Sequence, residues 1–147
     1  MAIHAHANQA ILDQFTLGAE PAAAQSATGL IEPLTVGESV AFGNLLYLKS
    51  DGKWWLADAD AASTMPGMRM ALESKSADAA CNALVIGRVR NDSWDWTVGG
   101  LIYASTDAGG LTQTAPSGSG DQVQVVGVAF HADKMIFQPC AIIGEVA

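Results

Sequence analysis

The residue types able to do chemistry in this chain fall in a few short stretches. "TAPSGSGDQV", Thr114 to Val123, offers the glycines and serines that wrap phosphates or expose a nucleophile. Gly118 and Gly120 fill the first two places of a GxGxxG pattern. Val123 holds the third place, no helix start follows, and Asp121 would repel a phosphate. No serine has glycine both two residues before and two after it, so the nucleophile-elbow pattern is not met. The tract reads instead as a polar loop or turn that feeds a strand. His131 and Asp133 fall on the same side of that strand, in the manner of a base and its orienting carboxylate, with Ser117 or Ser119 as nucleophile. The other histidines, His4 and His6, are at the far end of the chain. Such a constellation therefore rests on His131 alone, and an exposed strand-end histidine is the expectation.

Metal chemistry fares no better. His4 and His6 have chelating spacing in an extended chain, but no third ligand is near them in sequence. "DADAAST", Asp58 to Thr64, has the look of a calcium loop, yet Ser63 and Arg69 stand where glycine and glutamate are required. Turn-forming aspartates are expected there. Cys81 and Cys140 have no CxxC partner and are expected to be buried thiols. No catalytic residue, metal or cofactor is expected, and the chain reads as a non-enzyme.

The tryptophans are the remaining candidates. Trp54 and Trp55 are adjacent, so in a strand they point to opposite faces and cannot enter one core layer together. One of them is then available to a second layer or another subunit. Trp94 and Trp96 share a face if "SWDWT" is a strand, and each ring can bury roughly 150 to 250 Å². The indoles suit core filling, an interface, or a sugar-binding platform, and the sequence leaves these open.

The elements that must position these residues divide the chain in two. Residues 1–36 are Ala-rich, with a short helix expected in "ANQAILDQFTLG" and prolines beyond it that suit an extended arm. Ile11, Leu12 and Phe15 give that arm an apolar side on which to order against a partner. Residues 37–147 read as a β-rich body. Short runs such as "MRMALES", "NALVIGRVR", "DSWDWT", "GGLIYAST", "VQVVGVAFHA" and "KMIFQPCAII" alternate with turn residues, which predicts an all-β sandwich or barrel of short antiparallel strands. Asp51-Gly52 predicts a tight primed hairpin turn. Gln122 and Gln124 alternate with Val123 and Val125, giving one polar and one apolar strand face. "GNLLYLKSDG" from Gly43 and "GGLIYASTDA" from Gly99 echo each other, as two related hairpin units would.

Composition bounds the function. The 147 residues suit one domain, half are apolar, and no run approaches the roughly 20 apolar residues of a membrane span. A net charge of −8 with scattered lysines and arginines excludes the clustered positive charge that nucleic acid requires. The first residues lack a basic and apolar leader pattern, so synthesis as a soluble protein in a cytoplasm is expected.

"GESVAFGNLLYLKSDGKWWLADADAASTMPGMRMALES" and "VRNDSWDWTVGGLIYASTDAGGLTQTAPSGSGDQVQVVGVAFHADKMIFQP" together carry a family resemblance over about residues 37–139. The region resembles a β-rich domain of tailed-bacteriophage structural proteins, found in head decoration (capsid cement) proteins, head-fibre proteins and parts of tail fibres. The pieces "GGLTQTAPSGSGDQVQVVG" and Trp94-Asp95-Trp96 are its most specific signatures. The resemblance implies a non-enzymatic virion component on the outer capsid surface, trimeric, with the major capsid protein as its partner. On that reading Ile11, Leu12, Phe15 and the four tryptophans are interface candidates. A head- or tail-fibre module that binds a receptor or glycan is the alternative, and a small hydrolase using His131 is disfavoured by the failed motifs.

Overall fold

The structure is a computed structural model that describes residues 19–147. The short helix expected at the N-terminus and Ile11, Leu12 and Phe15 lie outside the described residues. The strands are β1 (Ser26–Thr35), β2 (Leu45–Leu48), β3 (Trp54–Leu56), β4 (Arg69–Ala71), β5 (Ala80–Arg90), β6 (Leu101–Ala104), β7 (Leu111–Thr112), β8 (Gln122–Val123), β9 (Val125–His131), β10 (Lys134–Phe137) and β11 (Gly144–Glu145). Among the described residues there is no α-helix, only a single 3₁₀ turn at Ala62–Thr64, and no helix is long and apolar enough to cross a membrane. The all-β expectation holds.

One curled antiparallel sheet runs in the order β3-β2-β4-β5-β10-β9-β6-β7, and a separate ribbon pairs β8 with β11. The long β5 carries β1 along its length and pairs with both β4 and β10. The curl brings the far ends of the sheet together as a half-barrel. Gly109 donates to the Ala57 carbonyl at 2.7 Å and accepts from the Leu45 N–H at 2.9 Å, and Ala59 donates to Ser105 at 2.9 Å.

The core lies inside the curl. Leu45, Met70, Leu84, Val89, Ile102, Val126, Met135 and Phe137 are fully buried there. A bulge at Val126, where Ile102 pairs with Gly127 but Tyr103 with Val125, turns that valine inward as well. A smaller cluster of Val36, Val40, Leu46, Ala71 and Cys81 covers the opposite face of the β2–β4 end.

Several expectations need correction. Of the segment 1–36 assigned to an arm, Ser26–Thr35 forms β1, hydrogen-bonded from Ser26↔Arg90 to Thr35↔Ala80. The strand is hard to read because its edge position leaves no clean alternation, Leu30 and Ile31 both being exposed, and Pro33 interrupts the run. Its close fit to β5 is a backbone matter: a Cβ on Gly29, at φ +141°, would come 2.3 Å from the Ile86 carbonyl oxygen. The Asp51-Gly52 hairpin exists, but only Gly52 has positive φ, at +81°. The Gly52 N–H bonds to the Lys49 carbonyl, which makes a three-residue loop ending in a left-handed glycine and not a primed turn.

"DSWDWT" is not a strand. The Asn91 side chain accepts from the Ser93 N–H and its carbonyl from Trp94, while Asp92 grips Arg90, so local polar groups turn the chain at the end of β5. The two echoing segments occupy the hairpins β2–β3 and β6–β7 at the two ends of the sheet, each followed by its flanking strand, β4 or β9. The matched letters face opposite ways, however: Leu45 is in the core and Leu101 is 45% exposed.

Candidate interaction surfaces and a polar cavity

Trp54 and Trp55 part to opposite faces, as adjacent strand residues must. Trp54 packs on the smaller cluster beneath the Arg69 guanidinium, 5.1 Å from its ring centroid, and Arg69 is held by Glu32 of β1 at 2.7 Å. Trp55 packs on the main core, with Lys49 4.2 Å over its ring and its Nε1 donating to Asp51 at 3.1 Å. Trp94 and Trp96 touch with ring centroids 5.4 Å apart and planes tilted by 47°. They lie against the main core from a loop and not from a strand, and Trp96 Nε1 is buried with no partner among the described residues. All four indoles are half-buried, so none stands out as a flat exposed platform.

The exposed apolar surface is elsewhere, on the outer face of β6, β9, β10, β5 and β1. Leu101 pairs with Val128, Val128 with Ile136, Ile136 with Arg88, and Arg88 with Thr28, so these five residues form one row across the sheet. Leu101 is 45% exposed and Val128 36%. Leu30 and Ile86, the neighbouring pair, extend the apolar band, and Val125 with Val128 and Ile136 borders a depression of about 230 Å³. Charge lies at the rim, where Lys134 pairs with Glu20 at 3.2 Å and Arg90 with Asp92 at 2.7 Å, while within the row the Arg88 guanidinium lies 5.8 Å from the Phe130 ring. Sequence reasoning missed this face. Its signal was the near-continuous apolar runs "ALVIG", "VVGVAF" and "KMIF", which supply apolar side chains to both sides of a strand.

The Ser/Gly tract does more than turn. With the loop after β6 it lines an open polar pocket of about 350 Å³, whose walls include Ser105, Asp107, Thr112, Thr114, Ser117 and Asp121. Asp121 is only 8% exposed, and its Oδ2 accepts the Gly118 N–H at 2.8 Å. Ser105, equally buried, accepts the Asp107 N–H at 3.0 Å. In the stretch that follows, the polar face is the buried one. Gln122 and Gln124 are buried while Val123 and Val125 are half-exposed, because both carboxamides are spent on backbone groups of neighbouring loops.

The other candidates are placed as follows. His131 Nδ1 pairs with Asp133 on an exposed hairpin, and Asp133 also stands 3.6 Å from Arg90. No serine bonds to this histidine among the described residues. Asp58 accepts the Asp60 N–H at 2.9 Å in the turn expected of it. Cys81 is buried as expected, and burial raises its thiol pKa, but Cys140 is exposed in the C-terminal segment where little packs over it. No family model matches this sequence, and no curated protein matches it.

Proposed function

We propose that the protein is a structural subunit of a bacteriophage virion, a capsid decoration (cement) protein whose β-body self-associates, as a trimer by the family resemblance, on the outer capsid surface. One observation carries the reading: the sheet is apolar on both faces, and the described residues cover only one of them at β6, β9 and β10. An apolar centre with a charged rim is the anatomy of a protein–protein interface. A fibre module that reads glycans through its tryptophans is less favoured, because all four rings are half-buried against the body.

In this reading residues 1–18, with Ile11, Leu12 and Phe15, reach beyond the body to neighbouring capsomers and add avidity to small contacts. The test removes residues 2–18 and leaves β1 whole. The truncated protein is expected to melt and sediment as the full-length oligomer does, yet to fail to bind capsids stripped of it. Full occupancy by the truncated protein would sink the arm's role, and a monomeric full-length protein that does not bind capsids would sink the decoration reading.

A further inference from the structure

We propose that the cavity between the Ser105–Gly110 loop and the Ser/Gly tract is a binding site for a neutral polyhydroxylated ligand, a saccharide unit. The inference is independent of the capsid reading and uses none of the tryptophans.

Unused hydrogen-bonding capacity is the first ground. Asp121 is nine-tenths buried, yet only Oδ2 has a protein donor, and its other oxygen has none among the described residues. That oxygen is open to the pocket and free to accept from a ligand. Asp107 has no side-chain hydrogen bond or ion pair among the described residues, and the Ser105 and Thr112 hydroxyls accept backbone N–H groups at 3.0 and 3.1 Å, which leaves their protons to give. The site thus offers two carboxyl groups and several hydroxyls that donate and accept, the complement of a sugar's vicinal hydroxyls.

Charge and size narrow the class. Among the described residues no lysine, arginine or histidine lines the cavity and two aspartates do, which disfavours phosphate, sulfate and acidic sugars. The lining is mainly polar, which disfavours an apolar ligand, and about 350 Å³ is far more than a bare ion fills but within the range of small-ligand sites.

The walls are also held before any ligand arrives. Ala59 and Ala57 anchor the Ser105–Gly110 loop through Ser105 and Gly109, at 2.9 and 2.7 Å. Val146 anchors the other wall, donating to Asp121 at 2.9 Å and accepting from Gly120 at 2.8 Å. Preorganised polar groups lower the ordering cost of binding.

The experiment is saturation-transfer NMR on the full chain, in a chelator-containing buffer, with a panel of neutral sugars (glucose, galactose, mannose, N-acetylglucosamine, lactose) at up to about 10 mM. At least one sugar is expected to show transfer and to bind about tenfold or more weaker to Asp107→Asn and to Asp121→Asn, the loss typical of a charge-assisted hydrogen bond. Asp107→Asn removes a side chain with no protein partner, so its melting temperature is expected to be unchanged, which separates lost binding from lost folding. Absence of transfer from every sugar, or binding by both variants as tight as by the unaltered protein, would overturn the proposal.

Discussion

Gln124 and Gly67 exchange two hydrogen bonds across 57 residues of chain: Oε1 accepts the Gly67 N–H at 2.9 Å, and Nε2 donates to the Gly67 carbonyl at 2.7 Å. The second Nε2 proton goes to the Cys140 carbonyl at 2.7 Å. The carboxamide thereby stands in for a neighbouring strand, closing the loop before β4 and the C-terminal segment onto the start of β9. Gln113 does the same for Thr97 at the surface, with bonds of 2.8 and 2.9 Å.

Gln124→Leu keeps the volume but leaves both backbone groups of buried Gly67, and the Cys140 carbonyl, without their partner. The expected loss is about 3 kcal/mol or more, seen as a fall in melting temperature of roughly 10 °C. Gln113→Leu breaks the same pattern where water can replace it, so its expected cost is about 1 kcal/mol or less. Equal effects from the two variants would show that burial of the first amide is not what makes it matter.

The same glutamine marks where the sequence stops being legible. Short strands, punctuating glycines and an all-β fold follow from local chemistry, and Trp54-Trp55 must split between two layers whatever the topology. The alternation of Gln122 and Gln124 with valines shows two faces but not which is buried, because a lone polar residue carries no sign of the loop backbone it will satisfy. β1 was unreadable for a related reason: its register is set by β5, through contacts such as Gly29 against Gly87, and not by a pattern of its own. The cavity lies within the single stretch 105–121, but its shape depends on how the loops on either side of β7 fold toward each other, which no spacing rule gives.

The acid response should come from surface carboxylates. The Arg90 guanidinium, bonded at 2.7 Å, holds the Asp92 pKa below its ordinary 3.8, and hydrogen bonds from Lys75 and then Asn82 hold Glu73 below 4.5. A depressed carboxylate pKa contributes stability above the unfolded value, and that contribution is lost as pH falls through the folded value. Both contributions are therefore present at neutral pH and fade below about pH 4. Asp92→Asn and Glu73→Gln are expected to lower the melting temperature slightly at pH 7 and to melt like the unaltered protein at pH 2. A deficit undiminished at pH 2 would assign the effect to packing instead of charge.

The two thiols should react on different schedules. Cys140 is exposed, whereas Cys81 is 1% exposed with a thiol pKa raised chiefly by burial. The native protein is expected to release one equivalent of chromophore promptly from an aromatic disulfide reagent at pH 8, and a second only in denaturant. Cys140→Ser should abolish the fast phase and leave the slow one. A fast phase that survives this substitution would mean that the cleft over Cys81 opens readily.

The outer face makes the sharpest test of assembly. Leu101 and Val128 are directly opposed on neighbouring strands, and neither takes part in the core, so a lysine at either place can extend into water without disturbing the fold. If that face is where copies of the chain meet, Val128→Lys and Leu101→Lys each bury a charge opposite an apolar partner surface. The expected result is an unchanged melting curve at low concentration and self-association weakened at least about tenfold, read by sedimentation equilibrium. The control is Leu48→Lys, a residue 57% exposed at the opposite end of the sheet, which should leave the association constant as it was. Association unaffected by both outer-face lysines would move the interface away from β6 and β9, and leave that apolar band to the capsid.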